Sequence, residues 1–416
     1  MSARLPRLGN LARTSILVMF WQGVRMSCLA AWIILGARVL GANNYGLFSG
    51  TIGTASALAG LVGLGGGMLM YQYSTADHTQ FPRYWKQSLL LCVLSAVPLS
   101  LSFLLLTAGL LSWPALCLIA LSEIISFPII TNAAFAFSAH DRMGWAAALP
   151  ALNAASRLAA ICIFGLLPVD HDLTVYLTLH LVSSACSAVL ALILVRGILH
   201  PDPASMHIES SDLLHGTGHA AAWSSAVAVT TLDKSFVLHA GGSEIAGLYA
   251  ACYRIAAVIA MPLDAMVMSA MPHLFRAQRM TPQYRRLIIS MILAATGYGT
   301  LGGVVLWCAA STLPSLLGME FSAAIAGLQW MGLFVIGYSL RQIACNVLIG
   351  RGMKIHRFVI EALGLVIMAM IAAARVPTHG LLGAVWMIII AETLMAAAAW
   401  LTVIFSPGRE VAHLPS

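Results

Sequence analysis

The sequence predicts an all-α membrane protein of about twelve transmembrane helices, set as two six-helix bundles related by a pseudo-two-fold axis, and three observations predict it. The first is composition. Of 416 residues, 60% are hydrophobic and only 9% charged, with a mean hydropathy of +0.89, whereas soluble domains carry about 25% charged residues. The second is that long uncharged runs recur along the whole chain, and about 20 apolar residues cross the roughly 30 Å hydrocarbon layer as a helix. The runs are continuous rather than alternating, which selects helices over barrel strands as the way to satisfy backbone groups in lipid. The third is an internal repeat, taken up below.

In order, the spans fall at 15–37, 46–70, 88–110, 113–137, 145–167, 173–195, 220–240, 246–272, 286–308, 325–349, 356–374 and 380–404. The first follows a basic stretch, as a secretory signal would. It runs past twenty residues, carries Arg25 at its middle and has no small-residue cleavage site, so it reads as a retained helix. The second is interrupted by Gly63, Gly65, Gly66 and Gly67, the third by Pro98, the fourth by Pro128 and the eighth by Pro262. Proline frees a carbonyl and bends a helix, so these are candidate hinges.

Short loops rich in Arg and Lys stay cytoplasmic. Outside the spans or at their first two residues, one set of loops with the two tails holds fifteen such residues, while the alternate set holds Arg38 and Arg375. Both termini are therefore expected in the cytoplasm. The net charge of +7 is accounted for by this topology and implies no nucleic-acid partner.

Residues 200–219, HPDPASMHIESSDLLHGTGH, form the longest polar stretch and read as a cytoplasmic linker between an N-terminal lobe, 1–199, and a C-terminal lobe, 220–416. Its histidines His200, His207, His215 and His219 offer only one helix-compatible spacing, which favours a solvated linker over a metal site. The eight cysteines lie within spans and form no CxxC pair, so they read as small buried hydrophobes. No cofactor or metal is expected. The repeat supports the two lobes: GANNYGLF at 41–48 and GSEIAGLY at 242–249 share Gly, four residues, then Gly-Leu-aromatic, at an offset of 201. Each opens the second helix of its half, and parallel six-helix repeats are a transporter architecture with the substrate site near the midplane.

Charges inside spans are the candidate functional residues, because an Arg at a helix centre costs roughly 2.5–3.5 kcal/mol on insertion scales. Arg25 shares a face with Gln22, and Arg157 with Asn153. The second half adds Lys234, Arg254 and Arg341. The acids are Glu123, Asp233, Asp264, Glu361 and Glu392, so the charges either pair across helices or serve cargo and ions. Only Glu123 lies in the half of Arg25 and Arg157, which leaves at least one cation there without a local partner. An unpaired guanidinium on an internal cavity suits phosphate oxygens, taken two at a time. Glu123, Asp233, Asp264 and Glu392 are read either as salt-bridge partners or as a proton or sodium relay.

ARVLGANNYGLFSGTIGTASALAGLVGLGGG, residues 37–67, resembles the first-to-second helix signature of the polysaccharide-export flippases, which carry O-antigen or exopolysaccharide repeat units. DKSFVLHAGGSEIAGLYAACYRIA, residues 233–256, resembles their seventh-to-eighth helix signature. That family belongs to the multidrug/oligosaccharidyl-lipid/polysaccharide exporter superfamily. The resemblance implies a V-shaped, two-lobed exporter fold in a bacterial inner membrane, with a cationic central cavity that opens to each face in turn. It implies an undecaprenyl-diphosphate oligosaccharide as cargo, moved for polysaccharide or lipopolysaccharide biosynthesis. Membrane lipids, a polysaccharide polymerase and its chain-length machinery are the implied partners. Arg254 matches the Tyr-Arg of the eighth-helix motif, and Arg25 and Arg157 resemble cavity arginines of the first and fifth helices. Asn43 and Asn44 stand where an acid is often seen, and the two extra helices of the peptidoglycan-precursor flippases are lacking, which argues against lipid II. A drug or organic-cation antiporter of the same superfamily is the alternative, although its cavity would need more acids than Glu123. A membrane-embedded glycosyltransferase or polymerase is disfavoured, because every extracytoplasmic loop is under about twenty residues.

Overall fold

The computed structural model describes residues 8–168, 172–202, 210–276 and 282–405, without the side chains of 8–13, 210–211, 264–265, 268–276 and 283. The helices are α1 (Leu8–Ala59), α2 (Gly66–Ala76), α3 (Phe81–Leu106), α4 (Trp113–Ile119), α5 (Phe127–Ala139), α6 (Met143–Leu166), α7 (Leu173–Leu199), α8 (Ser210–Arg276), α9 (Pro282–Ala309), α10 (Leu313–Leu317), α11 (Ile325–Gly350) and α12 (Lys354–Phe405). Nine helical stretches among the described residues are long and apolar enough to cross a membrane.

Three of those nine, in α1, α8 and α12, run for 46 to 52 residues. At 1.5 Å per residue, 52 residues measure about 78 Å, more than twice the hydrocarbon thickness. Each is broken once near its middle, at Gly41 (φ 71°, ψ 168°), Gly242 (φ 82°, ψ 178°) and Gly380 (φ 56°, ψ −131°). The first two lie in backbone space that only glycine enters at low cost. Each long helix therefore supplies two crossings, and nine plus three makes the twelve expected.

The second span is less regular than a single helix. After Ala59 a 3₁₀ turn, Val62–Gly65, carries Gly63, Leu64 and Gly65 at positive φ before α2 resumes. Ser95 Oγ of α3 accepts from Gly63 N at 2.8 Å, which satisfies a backbone donor released by the break. The fourth span holds a π-helical stretch, Ala120–Ser126, between α4 and α5. Its cause is local. Pro128 has no N–H and crowds the carbonyl four residues back, and Phe127 N donates instead to Ser122 O, five residues back. Pro98 and Pro262 are accommodated within α3 and α8.

Contacts divide the chain into two compact units, Met1–Leu40 with Thr51–Val227, and Gly41–Gly50 with Ala228–Ser416. The boundary lies at 227/228 instead of at 199 and 220, and 41–50 joins the second unit. The expected linker is corrected likewise. Residues 203–209 lie outside the described residues, but α8 begins at Ser210. Tyr84 Oη donates to the buried Asp212 at 3.5 Å, and a Cβ on Gly65 would overlap Gly216 O. Of this stretch Asp212 and Gly216 are buried against α3 and α2, while Leu214, His215, Thr217 and Gly218 remain exposed. In the first unit, Met70, Phe81, Trp85, Phe137 and Leu149 form the centre of an apolar core.

In the second unit the two copies of the repeat pack on each other. A Cβ on Gly46 would overlap Ser243 O, and one on Gly247 would overlap Ala42 O. Because 46 and 247, like 42 and 243, differ by 201, the contact is its own mirror under exchange of the copies, as a two-fold axis requires. Ser243 Oγ also donates to Asn43 Oδ1. Nearby, Glu320 Oε2 accepts from Ala42 N at 3.0 Å, so a side chain caps the helix that restarts after Gly41.

Candidate functional site

The charged side chains within the spans fall into two groups, one in each unit. In the first unit the π-helical stretch presents Glu123, α6 presents Arg157 and α7 presents His180. All three are buried. Arg157 Nη2 donates to Glu123 Oε1 at 2.7 Å, and His180 Nε2 lies 2.8 Å from the same oxygen. An ionised carboxylate only accepts, so the hydrogen in the second bond sits on His180 Nε2. Arg157 Nε and Nη2 each reach Ser184 Oγ at 3.3 Å, and its guanidinium lies over the Phe127 ring at 5.7 Å. On the other side of His180, Trp32 of α1 stacks at 6.2 Å between centroids and donates its Nε1 to Tyr176 Oη at 2.9 Å.

Of the two cations for which the sequence offers one acid, Arg157 is thus the partnered one. It takes the single acid of its half, because two opposite charges in low dielectric gain more from each other than either gains alone. Arg25 is left half-buried, with no ion pair among the described residues. Its neighbour Gln22 is exposed, while Asn153, one turn before Arg157, is buried with no hydrogen-bond partner for Oδ1.

In the second unit, Lys234 Nζ donates to Asp233 Oδ1 and Oδ2 at 2.8 and 3.0 Å and to Thr230 O at 2.9 Å, and sits 3.4 Å from the Tyr253 ring centroid. Tyr249 Oη donates to Asp233 Oδ2 at 2.7 Å. Arg341 holds Glu392 through two nitrogens, Nε to Oε2 and Nη2 to Oε1, the latter at 3.1 Å. Its Nη1 faces Glu361 at 3.8 Å, which Arg357 also contacts at 2.8 Å. Of the two alternatives the sequence leaves open for Lys234 and Arg341, pairing with a carboxylate is the arrangement found. For Glu123, Asp233 and Glu392 the salt-bridge alternative is the arrangement found. Arg254 is half-buried, 5.7 Å from the Tyr45 ring centroid. The Asp264 side chain lies outside the described residues.

Sequence reasoning missed His180, Tyr249 and Tyr253. For His180 a signal existed: a histidine mid-span, flanked by Tyr176 one turn before and Ser184 one turn after. No group of three or more His, Cys, Asp or Glu placed to hold a metal occurs among the described residues.

The sequence profile of the family described as "Polysaccharide biosynthesis protein" matches residues 11–278, more than half of the chain. The chain belongs to the polysaccharide biosynthesis protein family. No curated protein matches this family member in sequence. Among solved structures, the inward-facing conformation of a multidrug resistance MATE family transporter of the MOP superfamily is similar at TM-score 0.74 and 15% identity, over 91% of this chain and 96% of that one. The lipid II flippase MurJ, in an inward closed conformation, is similar at TM-score 0.69 and 12% identity, over 95% and 88%. A MOP superfamily transporter from Pyrococcus furiosus, described as having a binding pocket of reversed polarity, is similar at TM-score 0.59 and 16% identity, over 94% and 93%. These likenesses show the exporter fold. The family member accordingly combines that fold with nine helical stretches, among the described residues, long and apolar enough to cross a membrane.

Proposed function

We propose that this chain is a flippase that carries an undecaprenyl-diphosphate-linked oligosaccharide repeat unit across a bacterial inner membrane, with both termini in the cytoplasm, exposing a cationic site to each membrane face in turn. The observation that carries the reading is Arg25, a guanidinium within a span, half-buried and with no ion pair among the described residues. Such a cation is expensive in a membrane unless water or an anion receives it, and its planar fork fits a diphosphate. Membership of a polysaccharide biosynthesis family supports a glycan-bearing cargo. Arg254 and Arg157 are the further proposed phosphate contacts, with Gln22 and Asn153 beside them for the glycan. Lys234 and Arg341 act, in this reading, by holding the second unit together. Glu123, Asp233, Asp264 and Glu392 are the carboxylates available to an ion that drives the cycle. No bond is made or broken in the proposed step, so the chain is not an enzyme, and a polymerase with its chain-length machinery would take the delivered unit.

Replacing Arg25 by Ala tests this. Surface polysaccharide is expected to fall to the level of a strain lacking the gene, while the amount of protein in the membrane stays unchanged. Unchanged polysaccharide output would remove the phosphate role. Efflux of cationic dyes by the unaltered chain, with no effect on glycan, would instead establish the organic-cation antiporter reading.

A further inference from the structure

Glu123 offers one oxygen, Oε1, to two nitrogen groups. Arg157 spends Nε and Nη2 on Ser184 and Glu123, and Nη1 makes no hydrogen bond among the described residues. Its side chain keeps 10% of its surface open, while that of His180 keeps none. The charged groups that face His180 are Glu123 from the π-helical stretch and Arg157 from α6. Trp32 and Tyr176 also lie against its ring, α5 packs on α7 but has no ionisable residue, α4 packs on α7 with the exposed Cys117 as its one titratable residue, and Arg25 lies about two turns before Trp32 on α1.

We propose that His180 decides whether Arg157 presents its positive charge to an anionic cargo. With the imidazole neutral, Glu123 cancels Arg157 and the trio carries no net charge. A second proton, on Nδ1, makes two cations compete for one carboxylate and leaves the trio at a net single positive charge. In a low dielectric that surplus is costly until a counter-charge arrives, and Nη1 of Arg157 is the donor placed to meet a phosphate oxygen. Proton and anion therefore raise each other's affinity by the same factor. The inference deepens the proposed function and rests on its anionic cargo.

Trp32 makes the switch observable apart from transport, because its indole stacks on the His180 ring and a protonated imidazole quenches indole emission. The full chain in lipid nanodiscs is titrated from about pH 8 to about pH 4, a window that runs below the ordinary range of histidine, and the Trp32→Phe signal is subtracted to isolate Trp32. Two probes are added in turn: inorganic pyrophosphate, and a short-chain polyprenyl diphosphoryl sugar whose diester stays ionised throughout. The expected result is a quenching midpoint that either probe raises by about one pH unit, equivalent to about tenfold in anion affinity. His180→Gln, which keeps an N–H for Glu123 and so separates ionisation from packing, is expected to abolish the midpoint. No midpoint in the wild type, a midpoint that survives His180→Gln, or one that neither probe moves would overturn the proposal. A midpoint raised by pyrophosphate but not by the diphosphoryl sugar would uphold the switch while sinking the lipid-linked cargo.

Discussion

The two units treat charge in the membrane differently. In the second, Arg341 is held by Glu392 and faced by Glu361, and Lys234 is bound through both oxygens of Asp233. In the first, one carboxylate serves Arg157 and His180 together, and Arg25 has no ion pair among the described residues. Equal chemistry thus has two uses. Where a cation has a carboxylate to itself, as Lys234 has Asp233 and Arg341 has Glu392, charge holds helices in register; where one carboxylate serves two nitrogen groups, charge stays available to something that comes and goes.

That contrast breaks if the wrong residues prove essential to stability. The largest loss is expected for Arg341→Ala, which strands Glu392 in the interior; breaking such a pair costs about 3–5 kcal/mol. Its thermal unfolding midpoint in detergent should fall furthest, and the double change Arg341→Met with Glu392→Met should recover most of the loss, since well-packed apolar pairs replace buried ion pairs at little cost. Arg157→Ala comes next, at about 1.5–3 kcal/mol, because His180 still donates to Glu123. Gly46→Ala should cost about 1–3 kcal/mol through overpacking, measurable in the same melts. The smallest effect is expected for Arg25→Ala, under about 1 kcal/mol. A melt that places Arg25→Ala beside Arg341→Ala would end the comparison, since it would mean that Arg25 is also a structural pair.

Much of this fold is legible in the residues. Apolar runs of spanning length and the placement of Gly41, Gly242 and Gly380 account for twelve crossings, because membrane helices have no other means to satisfy their backbone. The repeat is legible too, although its physical reason, glycine against the partner's main chain, is not. What stays hidden depends on partners distant in sequence. Asp212 reads as solvated because nothing local shows that Tyr84 lies 3.5 Å from it. Glu123 and Arg157 are visible as intramembrane charges, but which of Arg25 and Arg157 takes the carboxylate depends on how α6 packs on the π-helical stretch, which no local pattern encodes. His180 shows in the sequence as a mid-span histidine between Tyr176 and Ser184, but its partners show only when the π-helical stretch, α6 and α7 come together.

The crossing at Gly46 and Gly247 limits how this chain can vary. The atoms that exclude a side chain there are carbonyl oxygens of Ser243 and Ala42, which every amino acid carries. No compensating mutation at those two opposing positions can make room, so revertants of a Gly46 or Gly247 change should restore the glycine itself or shift a whole helix, and both sites should stay fixed even while the side chains around them drift.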